Sequence, residues 1–437
     1  MNVKRQVFVA SAVSLALLCQ ANSWAQTREG SFEAPPTLSV AELLPAIQRD
    51  GHPLISPVGM EGYRAIFEIG SPQGSFRAAG TELLSLRIAE LPAIENLRRI
   101  NKSEAFADAL GKAAKAPLAF VGSALSDPGA ALRSVASGVG QLVETAGSAV
   151  NSGVERVTDG ISDMTGDTAK PLDASSEPAA PSFISDPFGY NKARRLWAKT
   201  LAVDPYTSNP QLRQLLDDAA SASFAGSFAI DATLGIVAAP VKLVVGFDAQ
   251  SQDMVWDLSP GDIQSQLTIK LGNMGIEGRP VRDFFRNPGL TPSLQTGLVS
   301  ALEKLNNVAG RGAAIDLASR MQGEANLRGF IEALNLLADH HLNTAPLADL
   351  RPSTATLVTT RKDGELLVAV SADYFFWDAA AAALANRADL AAPRRTILVS
   401  GRASARARQE LERAGWAVSD ATMPRLALSA AAVSLRQ

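Results

Sequence analysis

Residues 354–370, TATLVTTRKDGELLVAV, decide the fold class of the C-terminal part of this chain. Runs rich in β-branched residues at 354–360 and 365–370 flank Lys362-Asp363-Gly364, and a turn of this composition joins the strands of a hairpin. Further along, the pattern predicts a helix, a buried strand, a second helix and a short last strand, at 377–390, 396–399, 404–414 and 416–418. A hairpin followed by this alternation predicts a small α/β domain over residues 352–437, with at least one right-handed crossover.

The chain before this domain carries the start signals of helices. Three pairs place a capping side chain directly before a proline, which the first helical position tolerates: Asn209-Pro210, Ser259-Pro260 and Thr291-Pro292. Leucines at three- and four-residue spacing follow these pairs and mark the faces that pack inward. Residues 186–345 are therefore predicted to form a helical domain.

Near the N-terminus the period of the apolar residues changes to two. Within residues 63–79 an alternating run, a cluster of turn formers and a second short run predict a β-hairpin in an N-terminal segment of residues 26–100. Residues 83–100 contain Pro92, and their apolar pattern does not decide the secondary structure of that stretch. Together these parts predict a multidomain α+β protein.

Residues 101–163 are predicted to form amphipathic helices rich in glycine and alanine. Between 132 and 161 small apolar residues recur at steps of three and four, and glycines interrupt them. Each glycine destabilises a helix by about 1 kcal/mol relative to alanine, so these helices are expected to need packing against another surface. Packing against other parts of the same chain is the simplest expectation. An envelope protein or a membrane surface is a possible partner through residues 103–161. Residues 164–185, rich in proline, alanine and serine, are predicted to be a flexible linker.

The most apolar run after the N-terminal leader is residues 219–247. It contains Asp231, Pro240 and Lys242, and a charge near the centre of a membrane span costs about 2.5–3.5 kcal/mol. The composition therefore favours a buried helical hairpin turning near Gly235 over a membrane span.

Residues 1–25 have the pattern of a secretory signal peptide. Lys4 and Arg5 precede a short apolar stretch, and small residues precede a cleavage point after Ala25. The expected location is periplasmic or secreted. Cys19 is the only cysteine of the chain and lies inside the leader, so the mature protein would have no disulfide, thiolate nucleophile, cysteine-ligated metal or covalently attached haem.

The composition restricts the classes of partner that the protein is expected to bind. Loss of the leader would take the formal net charge from −3 to −5, which disfavours nucleic acid as a partner. Charged residues at 19% and apolar residues at 46% are typical of a globular protein.

The candidate site lies in the C-terminal domain, because ligands of α/β sheets collect beyond the carboxyl ends of strands. Asp373 follows one predicted strand, and Ser400 and Arg402 follow another, so an acid, a hydroxyl and a guanidinium could converge there. Asp373 followed by a strand-terminal serine resembles the first two motifs of the haloacid-dehalogenase-type phosphotransferases. Where that family has a second aspartate this chain has Phe375, and its downstream lysine and acidic motifs are absent. Turn formation by Ser400 and helix capping by Ser404 are the structural alternative.

Other catalytic patterns are absent from the sequence. His340 and His341 are adjacent and point about 100° apart on a helix, so they cannot chelate one metal, and a helix C-terminus explains them. No metal, cofactor or nucleotide-binding motif is found. The sequence favours an exported protein of structural or interaction type over an enzyme. A hydrolase or phosphate-handling enzyme that uses Asp373, Ser400 and Arg402 is the alternative.

Overall fold

The computed structural model describes residues 32–43, 58–71, 74–104, 106–108, 190–224, 242–353 and 356–420. They belong to two compact units, of which the larger comprises residues 1–99, 194–217 and 231–437 and the smaller residues 100–193 and 218–230. The signal peptide predicted at 1–25, the linker at 164–185, the stripe at 132–161 and the turn near Gly235 lie outside the described residues.

The described residues contain twelve α-helices: α1 (Val40–Leu43), α2 (Thr81–Asn101), α3 (Tyr190–Thr200), α4 (Pro210–Phe224), α5 (Ala249–Asp257), α6 (Pro260–Asn273), α7 (Arg279–Arg286), α8 (Pro292–Lys304), α9 (Gly312–Arg320), α10 (Glu324–Asn343), α11 (Ala379–Ala385) and α12 (Ala405–Arg413). None of these is long and apolar enough to cross a bilayer. Most lie in the middle of the chain, as the sequence predicts.

The strands form three sheets: β1 (Gly59–Glu61), β2 (Arg64–Ser71) and β3 (Gly74–Ala79) in the first; β4 (Leu347–Ser353), β5 (Thr356–Arg361), β6 (Leu366–Val370), β8 (Arg395–Val399) and β10 (Ala417–Ser419) in the second; β7 (Tyr374–Phe375) and β9 (Arg402–Ala403) in the third. The second sheet has the order β10-β8-β6-β5-β4, with β6, β8 and β10 parallel and the remaining pairs antiparallel. The α+β class, the N-terminal hairpin and the C-terminal α/β part are therefore confirmed.

The capping pairs act as the sequence predicts. Ser259 Oγ accepts a hydrogen bond from the backbone N–H of Asp262, and Thr291 Oγ1 accepts one from Leu294. Asn209 Oδ1 accepts one from Gln211, at 3.1 Å. Each helix therefore begins where a polar side chain replaces the missing backbone partner.

Both faces of the C-terminal sheet are covered. Four of the five residues of β6 are buried, which is the pattern of a strand packed on both sides. Helix α10 packs against β5 and β6. Residues of α11 and α12 share a core with Trp416 and with alternate residues of β6, among them Leu366 and Val368. Because side chains alternate across a strand, Leu367 and Ala369 point to the opposite side, where α10 lies.

Four strands were not predicted from the sequence, among them β7 and β9, which pair in parallel. Strand β1 adds a third strand to the N-terminal hairpin, and β4 adds an edge to the C-terminal sheet. The stretch left open at residues 83–100 is helix α2, which continues through Pro92. His340 and His341 occupy the last turn of α10, the position that the sequence favours for them.

Candidate functional site

A cavity of about 350 Å³ lies in the larger unit, beyond the carboxyl ends of β6 and β8. Its walls are the first turn of α2, one face of α10, the segment 242–246 and Lys304 at the end of α8. The strand-end residues 372–373 and 400–401 complete the lining. The cavity therefore occupies the place where parallel strands leave room for a ligand.

Asp373 lines this cavity, and both of its carboxylate oxygens are engaged. Oδ1 accepts hydrogen bonds from the backbone N–H of Thr81 at 3.0 Å and from its hydroxyl at 2.7 Å. Oδ2 accepts one from the backbone N–H of Ala65 at 2.9 Å. The carboxylate thus binds the N-terminus of α2, where a negative charge is favourable.

Ser400 also lines the cavity, whereas Arg402 is not among the lining residues. Ser400 Oγ accepts a hydrogen bond from the backbone N–H of Ala372 at 3.0 Å and donates one to the Ala372 carbonyl at 3.1 Å. Arg402 is exposed, and its guanidinium donates to the Glu42 carbonyl at 2.8 Å. The structure brings two of the three predicted residues together and directs the third elsewhere.

The segment 242–246 forms one wall although it has no regular secondary structure. Four side chains bind its backbone: Arg328 donates to the Leu243 carbonyl, Asn335 to the Val245 carbonyl, Lys304 to the Gly246 carbonyl, and Glu82 accepts from the Val245 N–H. These contacts measure 3.1, 3.1, 2.5 and 3.2 Å in that order. They replace the hydrogen bonds that a helix or sheet would supply.

A buried arginine joins the helices around the cavity. Arg328 of α10 forms ion pairs with Glu324 at 2.9 Å and with Glu82 of α2 at 3.2 Å. The Arg328 side chain is only 5% exposed. Burial opposes its charge, but the two carboxylates outweigh burial and raise the pKa of Arg328.

Glu332, like Asp339 and Asp373 of the cavity lining, has no ion-pair partner among the described residues. Its Oε2 accepts a hydrogen bond from the Ser371 hydroxyl. Burial, together with the negative charges of Glu82 and Asp373, raises the pKa of Glu332 to about 7, while the hydrogen bond from Ser371 opposes the rise. A carboxyl that exchanges its proton near neutral pH can act as a proton donor, a proton acceptor or a partner for a cation.

No functional role was predicted from the sequence for Glu332, Lys304 or Lys242. The signal that could have found Glu332 is the polar spacing Glu332, Asn335 and Asp339 on a helix whose other face is apolar. This i, i+3, i+7 pattern places three polar groups on one side of α10, and all three line the cavity. Lys304 and Lys242 had no such signal, because contacts between distant segments bring them to the site.

Glu332→Gln is expected to remove a pH dependence of stability. In the wild type the folded state holds the proton of Glu332 up to about pH 7, whereas the unfolded chain loses it near the ordinary glutamate pKa of 4.5. The stability gained from protonation is fully present below the pKa of the unfolded chain and is lost as pH rises through the pKa of the folded state, an effect on the order of 3 kcal/mol. Urea denaturation between about pH 4 and pH 8 measures it.

The matched control is Glu68→Gln at an exposed position of β2, which is expected to keep the wild-type pH profile. The same decline with pH in Glu332→Gln as in the wild type would show that Glu332 is not the titrating group.

No protein-family model, curated protein sequence or solved structure matches this chain. Among the described residues no group of three or more histidine, cysteine or acidic side chains is placed to hold a metal ion.

Proposed function

We propose that this chain is an exported protein of interaction type that binds a small polar molecule in the cavity at the strand ends of its C-terminal sheet. The observation that carries the proposal is the cavity itself, whose volume of about 350 Å³ falls in the lower part of the range of ligand sites. Its lining combines apolar surface with a few charged groups, the usual composition of a small-molecule site. Export to the periplasm or the exterior is supported by the leader at residues 1–25, and the N-terminal mass of the native protein tests it.

The charged groups of the cavity argue for a ligand rather than a structural void. Glu82 and Asp373 are held by protein partners. Glu332 and Lys242 are bound to no oppositely charged group among the described residues. Side chains that lack ionic partners in a concave site provide recognition without disrupting the fold.

Four forms of one dipeptide test the proposal: alanylalanine with both ends charged, with the amine blocked, with the carboxylate blocked, and with both blocked. At millimolar concentration at least one form is expected to raise the melting temperature, because a ligand that binds only the folded state stabilises it. If none of the four forms raises it, the proposal is wrong.

Two tryptophan variants show whether the stabilisation depends on the cavity. Leu342 is 55% exposed at the rim of the cavity, and Ile269 is 59% exposed on α6. Leu342→Trp is expected to reduce the ligand-induced rise because the indole narrows the entrance. Ile269→Trp is the matched control and is expected to leave it unchanged.

A hydrolase or phosphate-handling enzyme is the second candidate, and Glu332 is the observation that favours it. A carboxyl with a pKa of about 7 beside the hydroxyls of Ser371 and Ser400 has the properties of a general acid or base. Release of nitrophenol from its acetate or phosphate ester by the wild type, lost in both Glu332→Gln and Ser400→Ala, would favour the enzyme. Equal release by all three proteins would favour binding alone.

The partner predicted for residues 103–161 also remains a proposal. Of these residues the structure describes only 103, 104 and 106–108. An envelope protein or a membrane surface is the kind of partner that the glycine-rich stripe would suit, and nucleic acid is not expected. Retention of the mature protein in the envelope fraction, lost when this segment is deleted, would support such a partner.

A further inference from the structure

Two lysines lie together at one end of the cavity. Lys304 Nζ donates to the Gly246 carbonyl at 2.5 Å and to Asn335 Oδ1 at 3.4 Å. One of its three N–H groups is therefore available to a ligand. Lys242 is exposed and makes no hydrogen bond or ion pair with the described residues. Burial lowers the pKa of Lys304, Asp248 raises it, and the charge of Lys242 lowers it further. The two ammonium groups therefore repel each other, and an anion bound between them would relieve the repulsion.

A carboxyl without an ion-pair partner faces the same cavity from helix α10. Glu332 precedes Asn335, the residue that Lys304 contacts, by three positions, which is about 4.5 Å along the helix axis. The lysine end and the carboxyl end are thus separated by roughly one helical turn, a separation that suits a small molecule carrying both charges.

The surrounding groups explain why Glu332, rather than another acid of the cavity, is left for a ligand. Asp339 is exposed and accepts a hydrogen bond from Asn343 at 2.7 Å. From α2, Glu82 faces it and is paired with Arg328; from the loop after β6, Asp373 faces it and is held by three hydrogen-bond donors. Arg64 of β2 lies near all three carboxyls and donates to Asn326 at 3.1 Å. Ser371 and Ser400 supply only hydroxyls.

We propose that the ligand is a zwitterion of the amino-acid or short-peptide class, with its carboxylate held by Lys242 and Lys304 and its ammonium group held by Glu332. This inference rests on the proposed function, since it names the chemistry of the molecule bound in the same cavity. Apolar residues of the lining, among them Val245 and Ala338, receive the body of the ligand. An ammonium group at Glu332 takes the place of the proton that the carboxyl otherwise holds, and that proton is released to the solvent.

Isothermal titration with the four dipeptide forms tests the charge pattern. The form with both ends charged is expected to bind at least about ten-fold more tightly than either form with one end blocked, because each blocked end loses a charge-assisted hydrogen bond. Equal affinity of the zwitterion and a singly charged form would overturn this inference and leave the proposed function intact. Absence of binding by all four forms would overturn both.

Variants separate the two ends of the ligand. Lys242→Gln is expected to weaken binding of the zwitterion and of the amine-blocked form, but not of the carboxylate-blocked form. Lys362→Gln, at an exposed position outside the cavity, is the matched control and is expected to leave every affinity unchanged. Equal affinities in Lys242→Gln and in the control would overturn the assignment of the carboxylate end.

The pH dependence of binding tests the ammonium end without relying on a loss of affinity. Because the ligand displaces the proton of Glu332, the affinity of the wild type for the zwitterion is expected to rise about ten-fold or more between pH 5.5 and pH 7.5. Glu332→Gln has no proton to displace, so its weaker affinity is expected to stay flat over this range. A rise of the same size in Glu332→Gln would contradict the placement of the ammonium group.

Discussion

Replacing Arg328 by methionine is expected to lower the free energy of unfolding by about 3–5 kcal/mol, since removal of one partner from a buried ion pair leaves an uncompensated charge. Arg328 is paired with Glu82 and Glu324 and also donates to the Leu243 carbonyl. Methionine retains most of the apolar volume but none of these donors. The loss should come mainly from Glu82, which keeps the backbone N–H of Val245 but no ion-pair partner, and from the Leu243 carbonyl, which loses this donor. Glu324 keeps its ion pair with Arg87. Urea denaturation with linear extrapolation measures it.

Arg320→Met is the matched control for this change. Arg320 also forms an ion pair with an acidic residue, Asp316, but its side chain is 67% exposed. Exposed pairs contribute about 0–1 kcal/mol, so the control should be nearly neutral. Similar losses in the two variants would mean that Arg328 does not hold the walls of the cavity as described.

Gly401→Ala is expected to cost about 3 kcal/mol, at the upper end of the range for overpacking. A Cβ at this position would lie 2.8 Å from the carbonyl carbon of Asp373 and closer still to the carbonyl oxygens of Ala372 and Asp373. These are backbone atoms and cannot rotate away. Because residues 372–373 and 401 line the cavity, the ligand-induced rise in melting temperature should also diminish.

Gly261→Ala is the control for the glycine change. Gly261 lies in the first turn of α6, and the nearest atom that a Cβ would meet there is Ser259 Oγ at 3.9 Å. Alanine favours a helix by up to about 1 kcal/mol over glycine, so this variant should be neutral or more stable. A loss in Gly401→Ala no larger than that of the control would show that the strand-end turn has room for a side chain.

Local chemistry made the order of helices and strands predictable. The C-terminal hairpin followed from the β-branched runs around Asp363-Gly364, and helix starts followed from residues such as Ser259 and Thr291. Each of these signals acts within a few residues of the chain. Pro92 left the secondary structure of residues 83–100 open, because a proline costs a helix interior about 3 kcal/mol. Helix α2 nevertheless continues through it. Burial of Ile88, Ile94 and neighbouring apolar residues supplies the compensating stabilisation.

The site was only partly predictable, because it is built from segments far apart in the chain. The rule that ligands collect beyond strand ends identified Asp373 and Ser400, both of which line the cavity. It could not show that Asp373 binds the start of α2, nearly three hundred residues earlier. Arg402 was assigned to the site because it follows β8, but its side chain reaches Glu42 instead.

Methyl NMR during titration with alanylalanine tests the central claim, that the cavity is a binding site, most directly. The methyl groups of Val245, Ala338 and Leu342 belong to residues that line the cavity, whereas those of Ala407 and Leu411 lie in the core formed with α12. We expect saturable shifts at the first group and none at the second. Shifts confined to methyl groups outside the cavity, or no shifts at millimolar ligand, would contradict the account.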